Sequence, residues 1–257
     1  MDTPSTSDRP LSHADLLELK RLNTPTVYNG WEQITGRDAA RECFNREEAR
    51  DFMPHTGPMI GYAVTVVIEP SDPTHRQAKP DAWREYVRYV ASAPVPKIVV
   101  VQDLDKPDVI GSFWGEVNSN IHCALGCVGT ITDGAIRDLD EMCNVGFKAL
   151  ARRLCVGHAH AWPVRWNGPV DVFDTKIEPG TLIHADQHGF LAIPQEDQTR
   201  LLSAAQFMDT NECSTFLSVA RRSAGMSMDD ILEQLDQAGA EFGKAVRDKF
   251  GKKGEWT

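Results

Sequence analysis

The apolar positions along the chain alternate between strand-like runs and helix-like spacing. Residues 57–70 (GPMIGYAVTVVIEP) are rich in β-branched side chains and are bounded by glycine and proline, which predicts a mostly buried strand. Residues 79–92 repeat apolar side chains along one helix face, and residues 97–105 predict the next strand. Residues 111–138 then indicate a loop, a helix and a strand. This alternation agrees with an α/β fold without specifying its architecture.

Further elements flank this central region. Ser12 can cap a helix through the segment ADLLELKRL, and Thr24, followed by a proline at a permitted first-turn position, starts a second helix. Residues 147–161 (FKALARRLCVGHAHA) indicate a short helix and another strand. Residues 168–173 and 181–194 predict hairpin strands punctuated by glycine and proline.

Two stretches lack this alternation. Residues 35–57 mix charged and apolar side chains without a strand signal, which indicates an inserted, partly helical segment. From residue 195 onward the pattern is that of amphipathic helices without evident chemistry. We therefore predict an α/β domain over residues 1–210, with the insertion, and a helical extension over residues 211–257. The extension would pack on this domain or on a neighbouring subunit.

Composition restricts the class of protein. The 257 residues are 41% hydrophobic and 25% charged, with a net charge of -10 and no basic run, which disfavours a nucleic-acid-binding surface. The start of the chain lacks the pattern of a signal peptide, and no run of apolar residues is long enough for a membrane helix, so we expect a cytoplasmic protein without membrane contact. Six scattered cysteines predict reduced thiols, and Cys123 and Cys127 lack the second ligand pair of a structural zinc site.

A glutamate and an Arg-Asp pair stand at a suggestive interval in the centre of the chain. Twenty residues separate Glu116 from Arg137, and the predicted loop, helix and strand between them can bring a helix N-terminus close to the pair. Gly115 lets the backbone approach a ligand closely. The amides of Glu116, Val117 and Asn118 would lie in the first helical turn, where unpaired N–H groups and the helix dipole favour a carboxylate.

Side chains predicted near this helix N-terminus add a cation and metal-binding carboxylates. The guanidinium of Arg137 suits a carboxylate or enolate oxygen, and Asp138 offers a hard oxygen ligand to Mg²⁺ or Mn²⁺, with Glu141 able to hold a metal-bound water. His122, four residues after Asn118 and on the same helical face, is a candidate substrate contact. From the residues alone, an ion pair of Arg137 and Asp138 that merely closes a strand is an open alternative.

Several segments together resemble the RraA-like family. This family includes class II 4-hydroxy-4-methyl-2-oxoglutarate aldolases, which also act on 4-carboxy-4-hydroxy-2-oxoadipate, and proteins named as regulators of ribonuclease activity. The resemblance covers roughly residues 12–198, and the chain departs from compact members in the 35–57 insertion and the helical tail. The matching positions are Thr24 to Val27, Gly61 to Val66, Gly115, Glu116, Gly126, Gly129, Asp133, Gly134, Arg137, Asp138, Glu141, Pro179 to Leu182, Ala185, Asp186 and Gly189 to Pro194.

The resemblance implies a fold and an activity. The fold would be a swivelling β/β/α-type α/β domain, here with a helical C-terminal extension, assembled as a homotrimer or a dimer of trimers with sites at subunit contacts. The activity would be that of a divalent-metal-dependent lyase that cleaves a 4-hydroxy-2-oxo acid by retro-aldol chemistry to pyruvate, with oxaloacetate decarboxylase activity as a possible side reaction. Pyruvate would form through an enolate stabilised by Arg137 and a metal, Mg²⁺ or Mn²⁺.

Residue roles follow from the same resemblance. The substrate would be held by the backbone from Gly115 to Asn118 and by Arg137, and Asp138 would ligate the metal. A water held by Glu116 or Glu141 would remove the proton from the C4 hydroxyl. Two alternatives stay open: a non-catalytic protein-binding regulator with an inherited pocket, and another enolate-forming lyase or tautomerase that acts on a different acid.

Histidines depart from the family pattern and leave the substrate open. His158 and His160 alternate along a predicted strand and would therefore point to the same side, where they could bind a metal or touch a substrate. Because no third ligand stands near them in the sequence, we favour a hydrogen-bonded structural role for both. His184 and His188 are interpreted as hairpin residues.

Overall fold

The structure, a computed structural model, describes residues 11–251. The prediction that the chain starts without a signal peptide concerns residues 1–10, which lie outside the described residues, as do residues 252–257 at the end of the predicted extension. No helix among the described residues is long and apolar enough to cross a membrane.

The chain divides into two compact units. The larger unit comprises residues 12–24 and 38–196. The smaller unit includes residues 25–37 and the chain from residue 197 onward. The predicted separation of a main domain from a C-terminal extension stays a prediction.

Eleven strands occur in the described part of the larger unit, nine of them in one mixed sheet. They are β1 (Arg50–Asp51), β2 (Met59–Ile68), β3 (Lys97–Asp103), β4 (Ser112–Trp114), β5 (Cys127–Ile136), β6 (Lys148–Leu154), β7 (Pro163–Trp166), β8 (Val170–Val172), β9 (Thr175–Ile177), β10 (Leu182–Asp186) and β11 (Gly189–Ile193). The sheet order is β1-β6-β5-β3-β2-β10-β11, with β4 beside β5 and β7 beside β2, while β8 and β9 form a separate hairpin. The four neighbours β6, β5, β3 and β2 run parallel.

The central parallel strands β2 and β3 carry apolar side chains on both faces because both faces are covered. Ile98 and Val100 of β3 belong to a core cluster that also contains residues of the hairpin strands. Val99 and Val101, which point the other way, pack in a second cluster with Tyr86. This two-sided burial explains why apolar side chains dominate residues 59–68 and run without interruption from Ile98 to Val101. The strands predicted in residues 57–70 and 97–105 are confirmed.

The helices within the described residues agree with the prediction at several places. Ser12 and Asp15 form a capping box at the first helix, and the second helix begins at Thr24 as predicted. The helices are α1 (His13–Leu19), α2 (Thr24–Ile34), α3 (His75–Ala78), α4 (Ala82–Ser92), α5 (Glu116–Ala124), α6 (Leu139–Asn144), α7 (Gln198–Ser214), α8 (Phe216–Arg222) and α9 (Met228–Phe250).

Two predicted helical segments are wrong. Residues 147–161 contain the strand β6 and a turn but no helix, because pairing with β5 and β1 overrides the helix-like spacing of the sequence. Residues 35–57 contain no α-helix either; they hold the short strand β1 and a 3-10 turn at Pro54–Thr56. Backbone groups of this segment bond other segments instead, since the Ala192 amide donates to the Cys43 carbonyl and the Arg46 amide donates to the Phe173 carbonyl.

The smaller unit is helical and has its own apolar contacts. Gly30 of α2 lies so close to α7 that a Cβ atom there would be 2.4 Å from the backbone nitrogen of Ala205. Met208, Phe242 and Val246 form a buried cluster of α7 and α9. The predicted combination of an α/β fold with a helical C-terminal region is therefore confirmed, although α7 runs without a break through the predicted domain boundary.

A buried carboxyl group at the end of β3 gives the fold a testable pH dependence. Asp103 is fully buried and its Oδ2 atom has no hydrogen-bond partner within the described residues. Burial raises the pKa of Asp103 from its ordinary value of 3.8 to about 7. The folded protein therefore holds a proton between these two values that the unfolded chain has released. This bound proton stabilises the fold fully below the pKa of Asp103 in the unfolded chain, 3.8, and the stabilisation is lost as the pH rises through about 7.

We expect Asp103→Asn to remove this dependence. Asparagine keeps the acceptor for the Asp105 amide, which bonds Asp103 Oδ1 in the wild type, and it cannot ionise. The free energy of unfolding should rise by on the order of 1–3 kcal/mol relative to wild type at pH 8, and the difference should shrink towards pH 4. Urea unfolding at both pH values measures it. Parallel pH curves for the two proteins would contradict this account of Asp103.

Candidate active site

Two neighbouring parallel strands bring the predicted site residues together. β4 ends at Trp114 and β5 ends at Ile136, and these two residues are partners in the strand register. Because the carboxyl ends of parallel neighbours meet at one edge of a sheet, the residues that follow each strand lie side by side. Glu116 and Arg137 are therefore close in space although twenty residues separate them in the sequence.

A cavity of about 380 Å³ opens at this edge of the sheet. Six of its lining residues were predicted from the sequence: Gly115, Glu116, Val117, Asn118, Arg137 and Asp138. Five further lining residues were not: Ser112, Phe113, Trp114, His158 and Ala161. The predicted residues thus share one concave surface.

Gly115 leaves room for the carboxylate of Asp138. A Cβ atom at position 115 would lie 2.6 Å from Asp138 Oδ2 and 3.2 Å from Arg137 Nε, so a side chain there would displace both groups. The backbone amide of Glu116 donates a hydrogen bond of 3.1 Å to the same Oδ2 atom. Asp138 itself has a left-handed backbone with φ 55°. These contacts fix its carboxylate at the N-terminus of α5.

The backbone amides available to a ligand therefore differ from those predicted. The amide of Glu116, which the sequence assigned to a substrate carboxylate, bonds the protein's own Asp138. The amides of Val117 and Asn118 also belong to the first turn of α5, where the helix offers them no carbonyl partner. They are the backbone donors that the geometry leaves for a ligand.

Arg137 is oriented by its neighbours and faces the cavity. Its backbone amide donates to the Trp114 carbonyl at 3.3 Å, and its Nη1 donates to the Val156 carbonyl at 3.2 Å. Its Nε lies 3.6 Å from Asp138 Oδ2, and about a third of each side chain is exposed. An ion pair of this length and exposure stabilises a fold only slightly. Both groups also line the cavity, and a role of the pair beyond closing the strand stays a prediction.

The two predicted glutamates lie in different places. Glu116 is exposed at the wall of the cavity. Glu141 is exposed on α6 and is not among the residues that line the cavity. A metal-associated role for Glu141 stays a prediction without support from this geometry.

His122 is a fully buried residue of α5 and does not line the cavity. Its Nδ1 lies 2.6 Å from the Asn118 carbonyl and its Nε2 lies 2.8 Å from the Tyr86 hydroxyl. Burial lowers the pKa of His122 to about 4, so the ring is neutral. Because its aromatic neighbours include Trp114, at 4.7 Å between ring centroids, the side chain is a core residue. We therefore no longer assign it to substrate binding.

The core position of His122 makes a prediction about stability. His122→Ala should lower the free energy of unfolding by about 2–4 kcal/mol, because it leaves a cavity and removes the partner of the buried Tyr86 hydroxyl. Because His122 does not line the cavity, the KM of a substrate bound there should change less than about twofold. Urea unfolding and steady-state kinetics measure the two effects, with His160→Ala as an exposed control. A large KM change in a stably folded His122 variant would return this residue to the binding site.

The turn after β6 contributes a residue that the sequence did not assign to the site. His158 and His160 lie in a turn and not on a strand, so the predicted same-side arrangement is wrong. His158 lines the cavity, whereas His160 does not. The strand prediction failed because β6 ends at Leu154, where its pairing with β5 also ends. In the sequence, the two neighbouring histidines were the signal that this turn contributes to the site.

Three metal-type side chains lie close together elsewhere in the described residues. Glu69, Asp72 and His75 could share an ion, with His75 Nε2 at 2.7 Å from Glu69 Oε2 and 3.4 Å from Asp72 Oδ2. They are not among the residues that line the cavity. Their spacing was not recognised in the sequence.

Comparison with known proteins decides the family. The family model described as RraA-like, Aldolase/RraA, matches residues 24–192, more than half of the chain. The chain belongs to the RraA-like family. This family includes aldolases as well as non-catalytic regulators.

Individual relatives are distant. Protein DlpA of Legionella pneumophila is 24% identical over 140 residues, which are 54% of this chain but only 22% of the Legionella protein. An uncharacterized protein of Pseudomonas syringae has a solved structure with a TM-score of 0.66 and 20% identity, covering 91% of this chain and 99% of that one. RraAS2 of Streptomyces coelicolor, described as an unusual member of the RNase ES inhibitor RraA family, has a TM-score of 0.62 and 17% identity, covering 83% and 98%. These similarities support the RraA-like fold.

Proposed function

We propose that this RraA-like protein is a divalent-metal-dependent lyase that cleaves a 4-hydroxy-2-oxo acid to pyruvate by retro-aldol chemistry. The observation that carries the proposal is the shared cavity of Arg137, Asp138 and the N-terminus of α5. A cation, a fixed carboxylate and first-turn amides are the groups that a 2-oxo acid and its enolate need. Oxaloacetate decarboxylation would use the same groups.

The cavity fits a hard divalent cation. Asp138 presents a carboxylate that is fixed by the Glu116 amide yet about one third exposed. Glu116 adds a second carboxylate at the same wall. One or two carboxylates, with water and substrate oxygens, are the usual ligands of Mg²⁺ in enzyme sites, and Mn²⁺ accepts the same donors. When bound, the ion would polarise the 2-oxo group and offset the negative charge of the enolate.

The protein groups have separate tasks. The amides of Val117 and Asn118 would bind the substrate carboxylate, while Arg137 would face the oxygen on which charge develops. Gly115 keeps the space between Arg137 and Asp138 open, since a Cβ atom there would meet both. Glu116 would orient a water at the mouth of the cavity.

The proposal includes assembly as a homotrimer or a dimer of trimers, with subunit contacts near two exposed valines. Val117 is 70% exposed and Val156, whose carbonyl accepts from Arg137, is 93% exposed. In the proposed assembly a neighbouring subunit would cover these two valines.

A coupled assay for pyruvate tests the proposed function. Protein stripped of metal should release no pyruvate from 4-hydroxy-4-methyl-2-oxoglutarate or from oxaloacetate, and addition of Mg²⁺ or Mn²⁺ should start release from both. Turnover that a chelator does not stop, or the absence of turnover with every 2-oxo acid tried, would contradict the proposal.

A protein-binding regulator is the second candidate. Its support is the similarity to RraAS2, which is described within a family of ribonuclease inhibitors. In that case no 2-oxo acid would be turned over, and a ribonuclease would bind in a fixed stoichiometry that does not depend on metal.

A further inference from the structure

The turn that carries His158 is attached to the cavity wall at several points. The amide of Ser112 donates to the Gly157 carbonyl, and the amide of His160 donates to the Pro70 carbonyl, both at 3.0 Å. A Cβ atom at Gly111 would lie 2.7 Å from the His158 carbonyl oxygen, so only glycine permits this approach. His158 is therefore held at the cavity by its backbone.

The hydrogen bond of the ring fixes its tautomer. His158 Nδ1 lies 2.7 Å from the Ala159 carbonyl oxygen. Because a carbonyl oxygen can only accept, Nδ1 must carry the hydrogen. In the neutral ring, the lone pair is then on Nε2. A neutral imidazole with its hydrogen on Nδ1 can accept a proton at Nε2, which is what a general base does.

We propose that His158 is the proton acceptor of the cleavage reaction, an inference that rests on the proposed lyase function. Nε2 takes the proton of the C4 hydroxyl while the C3–C4 bond breaks. The O–H electrons form the new C4 carbonyl, and the electron pair of the broken bond forms the enolate of pyruvate. The imidazolium then returns the proton to C3, which completes pyruvate and restores the neutral ring, so that no further reactant is needed.

Oxaloacetate provides an internal control for this role. Its C4 is a carboxylate that leaves as carbon dioxide, so that no hydroxyl proton has to be removed when the C3–C4 bond breaks. The enolate that remains takes its C3 proton from water. Arg137 and Asp138 would serve both reactions, whereas a proton acceptor serves only the cleavage. A merely structural role of His158 would affect both reactions together.

The test compares His158→Gln with wild type and with His160→Gln, a histidine of the same turn that does not line the cavity. With Mg²⁺ present, we expect His158→Gln to lower kcat for 4-hydroxy-4-methyl-2-oxoglutarate by about 10²–10³-fold. Its oxaloacetate decarboxylation should stay within about threefold of wild type, and His160→Gln should stay within about threefold in both reactions.

The failures are distinguishable. Suppose that wild type releases pyruvate from both acids. If His158→Gln does so at the wild-type rates, or loses both activities equally, the role of His158 is overturned and the lyase function stands. If wild type releases pyruvate from neither acid, the proposed function fails and this inference fails with it. A readout independent of turnover is the long-range ¹H–¹⁵N spectrum of the metal-free protein. It should show His158 with its hydrogen on Nδ1, and the opposite tautomer would overturn the proposal.

Discussion

Replacement of Arg137 by methionine is expected to lower kcat for pyruvate release from a 4-hydroxy-2-oxo acid by about 10²–10³-fold, the usual loss when one preorganised donor to a developing oxyanion is removed. The guanidinium is held by the Val156 carbonyl and by Asp138, so it needs no reorganisation when the enolate forms. Methionine keeps the length of the side chain and removes its charge. Oxaloacetate decarboxylation should fall by a similar factor because both reactions pass through an enolate.

Arg153→Met is the matched control for this variant. Arg153 is an exposed arginine of β6, its guanidinium bonds the Leu154 and Val109 carbonyls, and it is not among the residues that line the cavity. Its kinetics should stay within about threefold of wild type. If Arg137→Met kept wild-type kcat for both substrates, Arg137 would have no part in stabilising the enolate.

The largest expected loss of stability comes from Gly129→Ala. Gly129 lies in β5 between β3 and β6, and a Cβ atom there would be 2.3 Å from the Lys148 carbonyl oxygen and 2.7 Å from Met59 Sδ. The sulfur atom could move, but the carbonyl belongs to a paired strand. We expect the free energy of unfolding to fall by about 3 kcal/mol or more.

Urea unfolding of Gly129→Ala and Gly168→Ala measures this effect. A Cβ atom added at Gly168 would have no neighbouring atom within 4 Å among the described residues, so this alanine variant should change the free energy of unfolding by no more than about 0.5 kcal/mol. Equal stability of the two variants would show that the β5–β6 contact is looser than described.

The buried strands β2 and β3 and the proximity of Glu116 and Arg137 could be predicted from the sequence for physical reasons. Strands covered on both faces carry mostly apolar side chains, and β2 and β3 do so apart from a few buried polar positions such as Asp103. The interval between Glu116 and Arg137 reflects a helix and a strand between two adjacent strand ends, which a sequence can suggest. The resemblance to a known family supplied the residue roles, which the spacing alone left open.

Other features depend on contacts between distant segments. The sequence could not show that Asp138 bonds the first amide of α5, because this needs the register of β4 against β5. His122 stands on the same face as Asn118, but only the packing of Tyr86 and Trp114 around it makes it a core residue. His158 reaches the cavity through a turn held by Gly111 and Pro70, far from it in sequence.

The central claim is that Asp138 holds the divalent ion that pyruvate formation requires. The most direct test measures Mg²⁺ or Mn²⁺ binding by calorimetry, together with pyruvate release, in wild type, Asp138→Ala and Asp140→Ala. Asp140 is an exposed aspartate of α6 that is not among the residues lining the cavity, and it serves as the control. Wild type and Asp140→Ala should bind the ion and release pyruvate, while Asp138→Ala should do neither. Metal-dependent pyruvate release by Asp138→Ala at the wild-type rate would contradict the account.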